Sequence, residues 1–191
     1  MRKSLMGAQQ KIILIGMKSS GKTTAGRLLA RKLGVRFIDM DAAIEELHAR
    51  QKGERLPFRE IFKTYGGDYF RKTETAALRA LAGSTDAGSY VLSTGGGLPL
   101  SEENRDLLRG MGTIVFLDVA EDVLLERIVP RGIPAFFPYP DDPKRSLLEI
   151  LAARRPVYSA LAAVRVECGA EAPEVNVEKI MQQLEKRDRE D

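Results

Sequence analysis

The chain has no tryptophan, one cysteine and one histidine among its 191 residues. A lone Cys168 excludes an intramolecular disulfide and a thiolate metal cluster, which fits a reducing compartment. It reads as a small apolar filler near the end of a strand. A lone His48 excludes a His-rich metal site, and any Ser-His-Asp triad has to run through it. With Glu45, Glu46 and Arg50 as neighbours, His48 is expected on a solvated helix face. Neither sign of charge is in excess: 30 Lys+Arg stand against 27 Asp+Glu, so nothing in the balance calls for nucleic acid. Long hydrophobic runs are missing too. Ile12-Ile13-Leu14-Ile15 is a strand's worth, and Met1 to Lys11 carries charge without an apolar stretch. Neither a membrane span nor a secretion signal is expected, and the expected location is the cytoplasm.

What is present is an alternation of apolar runs and helical stretches, the pattern of a parallel sheet covered by helices. The length suits one α/β domain, taken as 1–191. Strands are expected at Lys11–Ile15, Val35–Ile38, Tyr90–Ser93, Thr113–Leu117 and Val164–Glu167. Helices are expected from Thr23 to Leu33, around Ala43, Ile44 and Leu47, from Phe58 to Thr64, and from Tyr69 to Ala82 capped by Asp68. Further helices are expected after a Ser101 cap, from Glu121 to Arg127, from Lys144 to about Arg155, and from Glu174 into a fraying tail after Glu185. Between Val129 and Pro143 five prolines and no periodicity mark a long loop, read as a lid.

Gly16-Met17-Lys18-Ser19-Ser20-Gly21-Lys22-Thr23 fits G-x-x-x-x-G-K-[ST] between an apolar strand and a helix. The glycines let successive backbone N–H groups point at a phosphate, and the helix N-terminus adds positive potential. Ser19, Ser20 and Gly21 are the expected cradle, and Lys22 is expected to bridge the β- and γ-phosphates. The Thr23 hydroxyl is expected on Mg²⁺, and Thr24 on an α-phosphate oxygen. A nucleotide follows from this motif; its use does not. No N-K-x-D base-reading motif occurs, which argues against a GTPase. Asp118, ending an apolar strand, is an alternative Mg²⁺ carboxylate or a plain helix cap.

Four further groups follow in order: Phe37-Ile38-Asp39-Met40-Asp41, Phe70-Arg71-Lys72-Thr73-Glu74, Gly95-Gly96-Gly97 and Arg154-Arg155-Pro156-Val157-Tyr158. Together with the P-loop they resemble the shikimate kinase family, over about Lys11 to Pro173. The resemblance implies a P-loop NTPase fold, three layers α/β/α around a five-stranded parallel sheet in the order 2-3-1-4-5, with a lid at about 129–143. It implies phosphorylation of the 3-hydroxyl of shikimate by ATP with Mg²⁺, in a monomer. Asp41 then corresponds to the general base, Asp39 with Thr23 to the metal-side oxygens, and Arg71 and Arg154 to the grip on the shikimate carboxylate. Gly96 and Gly97 correspond to backbone contacts with the substrate. Forked guanidiniums suit a carboxylate because both N–H groups bond it at once.

The lid departs from the family's Arg-Pro-Leu-Leu. Arg131-Gly132-Ile133-Pro134 stands there instead, so Arg131 is the candidate catalytic arginine, alongside Lys22 and Asp41. Arg127 is expected against the adenine, and Glu171 stands where a basic residue is often found. The same lid motivates two other readings: a kinase of another hydroxy acid such as a gluconate-like sugar acid, and a nucleotide-binding relative without turnover.

Overall fold

The computed structural model describes residues 10–84 and 88–190. Five parallel strands form one sheet: β1 Lys11–Ile15, β2 Arg36–Asp39, β3 Tyr90–Ser93, β4 Thr113–Val119 and β5 Val164–Cys168, in the order β2-β3-β1-β4-β5. Among the described residues seven α-helices surround it: α1 Lys22–Leu33, α2 Met40–Lys52, α3 Phe58–Ala82, α4 Glu102–Met111, α5 Glu121–Ile128, α6 Pro143–Leu161 and α7 Pro173–Glu190. The fold is the expected one.

Alternation along the strands builds two cores. Ile12, Leu14, Val115 and Leu117 meet α1, α5 and α7 on one face, while Ile13, Ile15, Ile114 and Phe116 meet α2, α3 and α4 on the other. Helix α6 serves both, with Leu147 and Leu151 in the first and Tyr158 and Leu161 in the second. Because all five strands run the same way, the segments that follow them open on one edge, where ligands of open α/β sheets bind.

Several expectations are corrected. His48 is fully buried, not solvated: its Nδ1 lies 2.9 Å from the Tyr69 hydroxyl, and its ring packs edge-on against Tyr65 and Tyr69. The charged neighbours occupy other faces of the same helix. The helices at 58–64 and 69–82 join into α3, broken in dihedral terms only at Gly66 (φ 81°, ψ 169°). Asp68 therefore sits inside α3 rather than before a helix. Helix α6 runs through Pro156 to Leu161, because the carbonyl that loses its donor belongs to exposed Ala152 and can turn to water. The tail stays helical to Glu190, with Lys186–Glu190 and Arg189–Glu185 spaced one turn apart. Ser101 stands at the start of α4 with no side-chain bond to it. The lid is a folded segment: it starts in a 3₁₀ turn at Val129–Arg131, buries Phe137, and is pinned by Ser146, which accepts from Tyr139 N and donates to Tyr139 O.

Candidate active site

The phosphate loop is shaped by three positive φ values, at Gly16 (145°), Ser19 (66°) and Gly21 (90°). A Cβ on Gly16 would stand 2.7 Å from the Leu117 carbonyl, so this glycine is required by space as well as by conformation. Lys22 opens α1 with its side chain folded back over the loop. Its Nζ donates to Gly16 O (3.0 Å), Met17 O (2.8 Å) and Ser20 Oγ (3.3 Å). Burial pushes the ammonium down to about 8, against the pull of Asp41 and Asp39. The Lys22 cation is therefore already desolvated and held over the loop. Thr24 lies exposed on the next turn position.

Thr23 Oγ1 lies 3.3 Å from Ser93 Oγ at the end of β3. Asp39 ends β2 and accepts from Asp41 N (3.1 Å), which caps α2 and turns Asp41 toward the loop. The Asp41 carboxyl is raised to about 6, first by burial and then by Asp39, with Lys22 opposing. Two carboxylates and two hydroxyls thus share one corner, and the like charges strain each other. Mg²⁺ keeps several waters and needs few protein oxygens, so the oxygens of Thr23 and Asp39 fit it, and a divalent cation there would relieve the repulsion. Asp118 does not fit: Arg155 Nε (3.1 Å) and Arg165 Nη2 (2.7 Å) take its two oxygens. That overturns Asp118 as a metal carboxylate.

The glycine triplet is a meeting point of α3, the P-loop and the start of α2. A Cβ on Gly95 would stand 3.1 Å from Glu74 Oε1 and 3.9 Å from Asp41 Oδ1. On Gly96 it would stand 3.1 Å from Lys18 N and 3.3 Å from Gly16 O. On Gly97 it would stand 2.5 Å from the Arg71 guanidinium. Each glycine thus admits a different neighbour. Arg71 Nη1 donates to buried Glu74 Oε2 (2.5 Å), and the guanidinium lies 5.3 Å from the Phe70 ring. The Glu74 carboxyl is raised by burial and lowered by Arg71. Arg71 therefore sits half-exposed between its ion pair with Glu74 and the glycine triplet. From α6, Arg154 lies 5.1 Å from the Phe136 ring and 3.9 Å from Met17 Sδ, while Tyr158 donates to Gly96 O (2.5 Å).

Beyond the P-loop, Arg127 ties two segments together, donating to Gly169 O (2.7 Å) and Ser19 O (3.5 Å). Glu171 accepts from Gly169 N (2.7 Å) and pairs with Lys179, whose hydrogen bond holds its carboxyl at about 2. Arg131 is exposed in the turn that begins the lid and makes no hydrogen bond or ion pair among the described residues. Sequence reasoning gave no role to Ser93, to Phe136 or to the hydroxyl of Tyr158, although Tyr158 closes one of the quoted motifs. Tyr158 had a signal, one helical turn after Arg154. Ser93 and Phe136 had none, because only strand pairing and lid packing bring them in.

The shikimate kinase family model, described as "SKI: Shikimate kinase", matches residues 18–185. The shikimate kinase of Bordetella avium (strain 197N) is 41% identical over 160 residues, covering 83% of this chain and 71% of that protein. The solved shikimate kinase from Acinetobacter baumannii in complex with shikimate is 30% identical with a TM-score of 0.80, covering 94% and 95%. A gluconokinase from Sinorhizobium meliloti 1021 is 25% identical with a TM-score of 0.60, covering 95% of each chain.

Proposed function

The chain belongs to the shikimate kinase family, and from that premise we propose how its residues carry the γ-phosphoryl group of ATP to a hydroxyl of shikimate. The reading rests chiefly on one arrangement: Asp41, Glu74, Arg71 and the P-loop backbone all converge on Gly95-Gly96-Gly97.

ATP lies along the P-loop, its phosphates on the backbone N–H groups of Ser19, Ser20 and Gly21 and its γ-phosphate against Lys22. Lys22 exchanges three weak acceptors for phosphate oxygens, which restores its proton affinity. Thr24 reaches the α-phosphate, and Arg127 flanks the base. Thr23 and Asp39 would hold Mg²⁺, which would supply neutralising charge for the phosphates. Shikimate places its carboxylate between Arg71 and Arg154, and the backbone of Gly96 and Gly97 lines its ring. The hydroxyl, the 3-hydroxyl of shikimate, points at Asp41. As its oxygen bonds to phosphorus and the bond to the ADP oxygen breaks, its proton passes to the Asp41 carboxylate. Arg131, carried by the lid, offsets charge on the transferred group. The whole chain acts as one kinase domain, monomeric and cytoplasmic, with no nucleic-acid or membrane partner. No helix among the described residues is long and apolar enough to cross a membrane.

The structural likeness to the shikimate kinase exceeds that to the gluconokinase, so the sugar-acid reading is not preferred. The test is Asp41→Asn. Loss of a general base lowers kcat by about 10²–10⁴-fold, while calorimetry finds MgATP binding retained. In the wild type the Asp41 carboxyl is protonated below about 6, so kcat/KM for shikimate falls as the pH drops through that value. An Asn variant with undiminished kcat would remove Asp41 from the role.

A further inference from the structure

Lys18, in the P-loop, carries a cation that the reaction described above leaves unused. Lys22 turns its ammonium back onto the loop, whereas the Lys18 ammonium lies 5.9 Å from the centre of the Phe136 ring. Arg154 lies against the same ring at 5.1 Å and touches Met17, the neighbour of Lys18. The Lys18 backbone passes beside Gly96, 3.1 Å from where a Cβ on it would stand. Loop, strand end, helix α6 and lid therefore meet on one wall of the acceptor side.

The charges around this wall are unevenly paired. Arg71 is tied to Glu74, but neither Lys18 nor Arg154 is in an ion pair among the described residues. Lys18 is half-buried. Burial lowers its proton affinity, Arg59 at the start of α3 lowers it further, and Asp41 raises it. A half-desolvated ammonium without an acceptor is costly, and an acid with several oxygens supplies what it lacks.

We propose that Lys18 is a further acceptor-binding residue, donating to oxygens of the bound hydroxy acid beside Arg154, with Phe136 the lid side chain that shields both cations from water. The inference rests on shikimate being the acceptor. It makes specificity partly a property of the phosphate loop, one residue of which serves the opposite substrate. Phe136 is 41% exposed while its neighbour Phe137 is 5% exposed, so the lid anchors through one ring and leaves the other at the wall.

The experiment compares the wild type, Lys18→Met, Phe136→Ala and the double variant by steady-state kinetics with MgATP and shikimate, and by calorimetry with each ligand alone. Lys18→Met is expected to raise the shikimate KM about tenfold, the loss of one charge-assisted hydrogen bond. The affinity for MgATP stays within about twofold, and Lys18→Arg recovers most of the shikimate KM. The double variant is expected to lose less than the product of the single effects, since both act on one contact. An unchanged shikimate KM in Lys18→Met, or an equal loss of MgATP affinity, would overturn the role. A wild type that neither binds nor phosphorylates shikimate would instead remove the acceptor assignment itself, a result distinguishable because it precedes any variant.

Discussion

Gly97 shows how one missing atom positions a charged group. Its φ of −90° is open to any residue, so conformation does not demand glycine there; the Arg71 guanidinium does, lying 2.5 Å from the place of a Cβ. The obstructed group is the far end of a flexible, half-exposed side chain, which can move at little cost to folding. Gly97→Ala is therefore expected to leave the melting temperature nearly unchanged and to raise the shikimate KM about tenfold, by displacing one fork of the carboxylate grip. A melting curve with steady-state kinetics checks both; unchanged KM would separate Arg71 from the acceptor. Arg71 and Arg154, the proposed grip, stood out in the sequence because their type suits a carboxylate and their order matches a family. The burial of His48 was not, since its charged neighbours lie on other faces of α2 and nothing local announces Tyr65 and Tyr69 from α3.

Element boundaries followed where the local chemistry is strong. Strands β1 and β3 fall where the apolar runs do, and Gly34 and Gly53, both left-handed, end α1 and α2. They failed where tertiary packing overrides a breaker. Gly66-Gly67 reads as an end, yet helical turns resume at once because Ile61 and Phe70 on either side are drawn into the same core. Pro156 reads as a stop, yet Tyr158 and Leu161 beyond it are buried, and α6 continues to place them. The Gly66 joint gives a prediction at this scale. A Cβ there meets nothing within 4 Å, so Gly66→Ala carries only the cost of φ 81° on an L-residue. Denaturant unfolding is expected to show a loss of about 1–3 kcal/mol, and no loss would mean that α3 straightens through the joint.

Across the whole molecule the account depends on one consequence of parallel strands. Segments far apart in sequence, following β1, β2 and β3, reach the same sheet edge, where Lys22, Asp41 and the glycine triplet meet residues of α3 and α6. The fold and this edge were legible from alternation and motif order. The pairing of Thr23 with Ser93, the anchoring of the lid by Phe137 and the capture of Asp118 by two arginines depend on packing at long range. The central claim is that these parts phosphorylate shikimate. It is tested most directly by ADP release from MgATP by the purified chain, with and without shikimate. Strong release that requires shikimate is the predicted result; ATP binding without shikimate-dependent ADP release would contradict it.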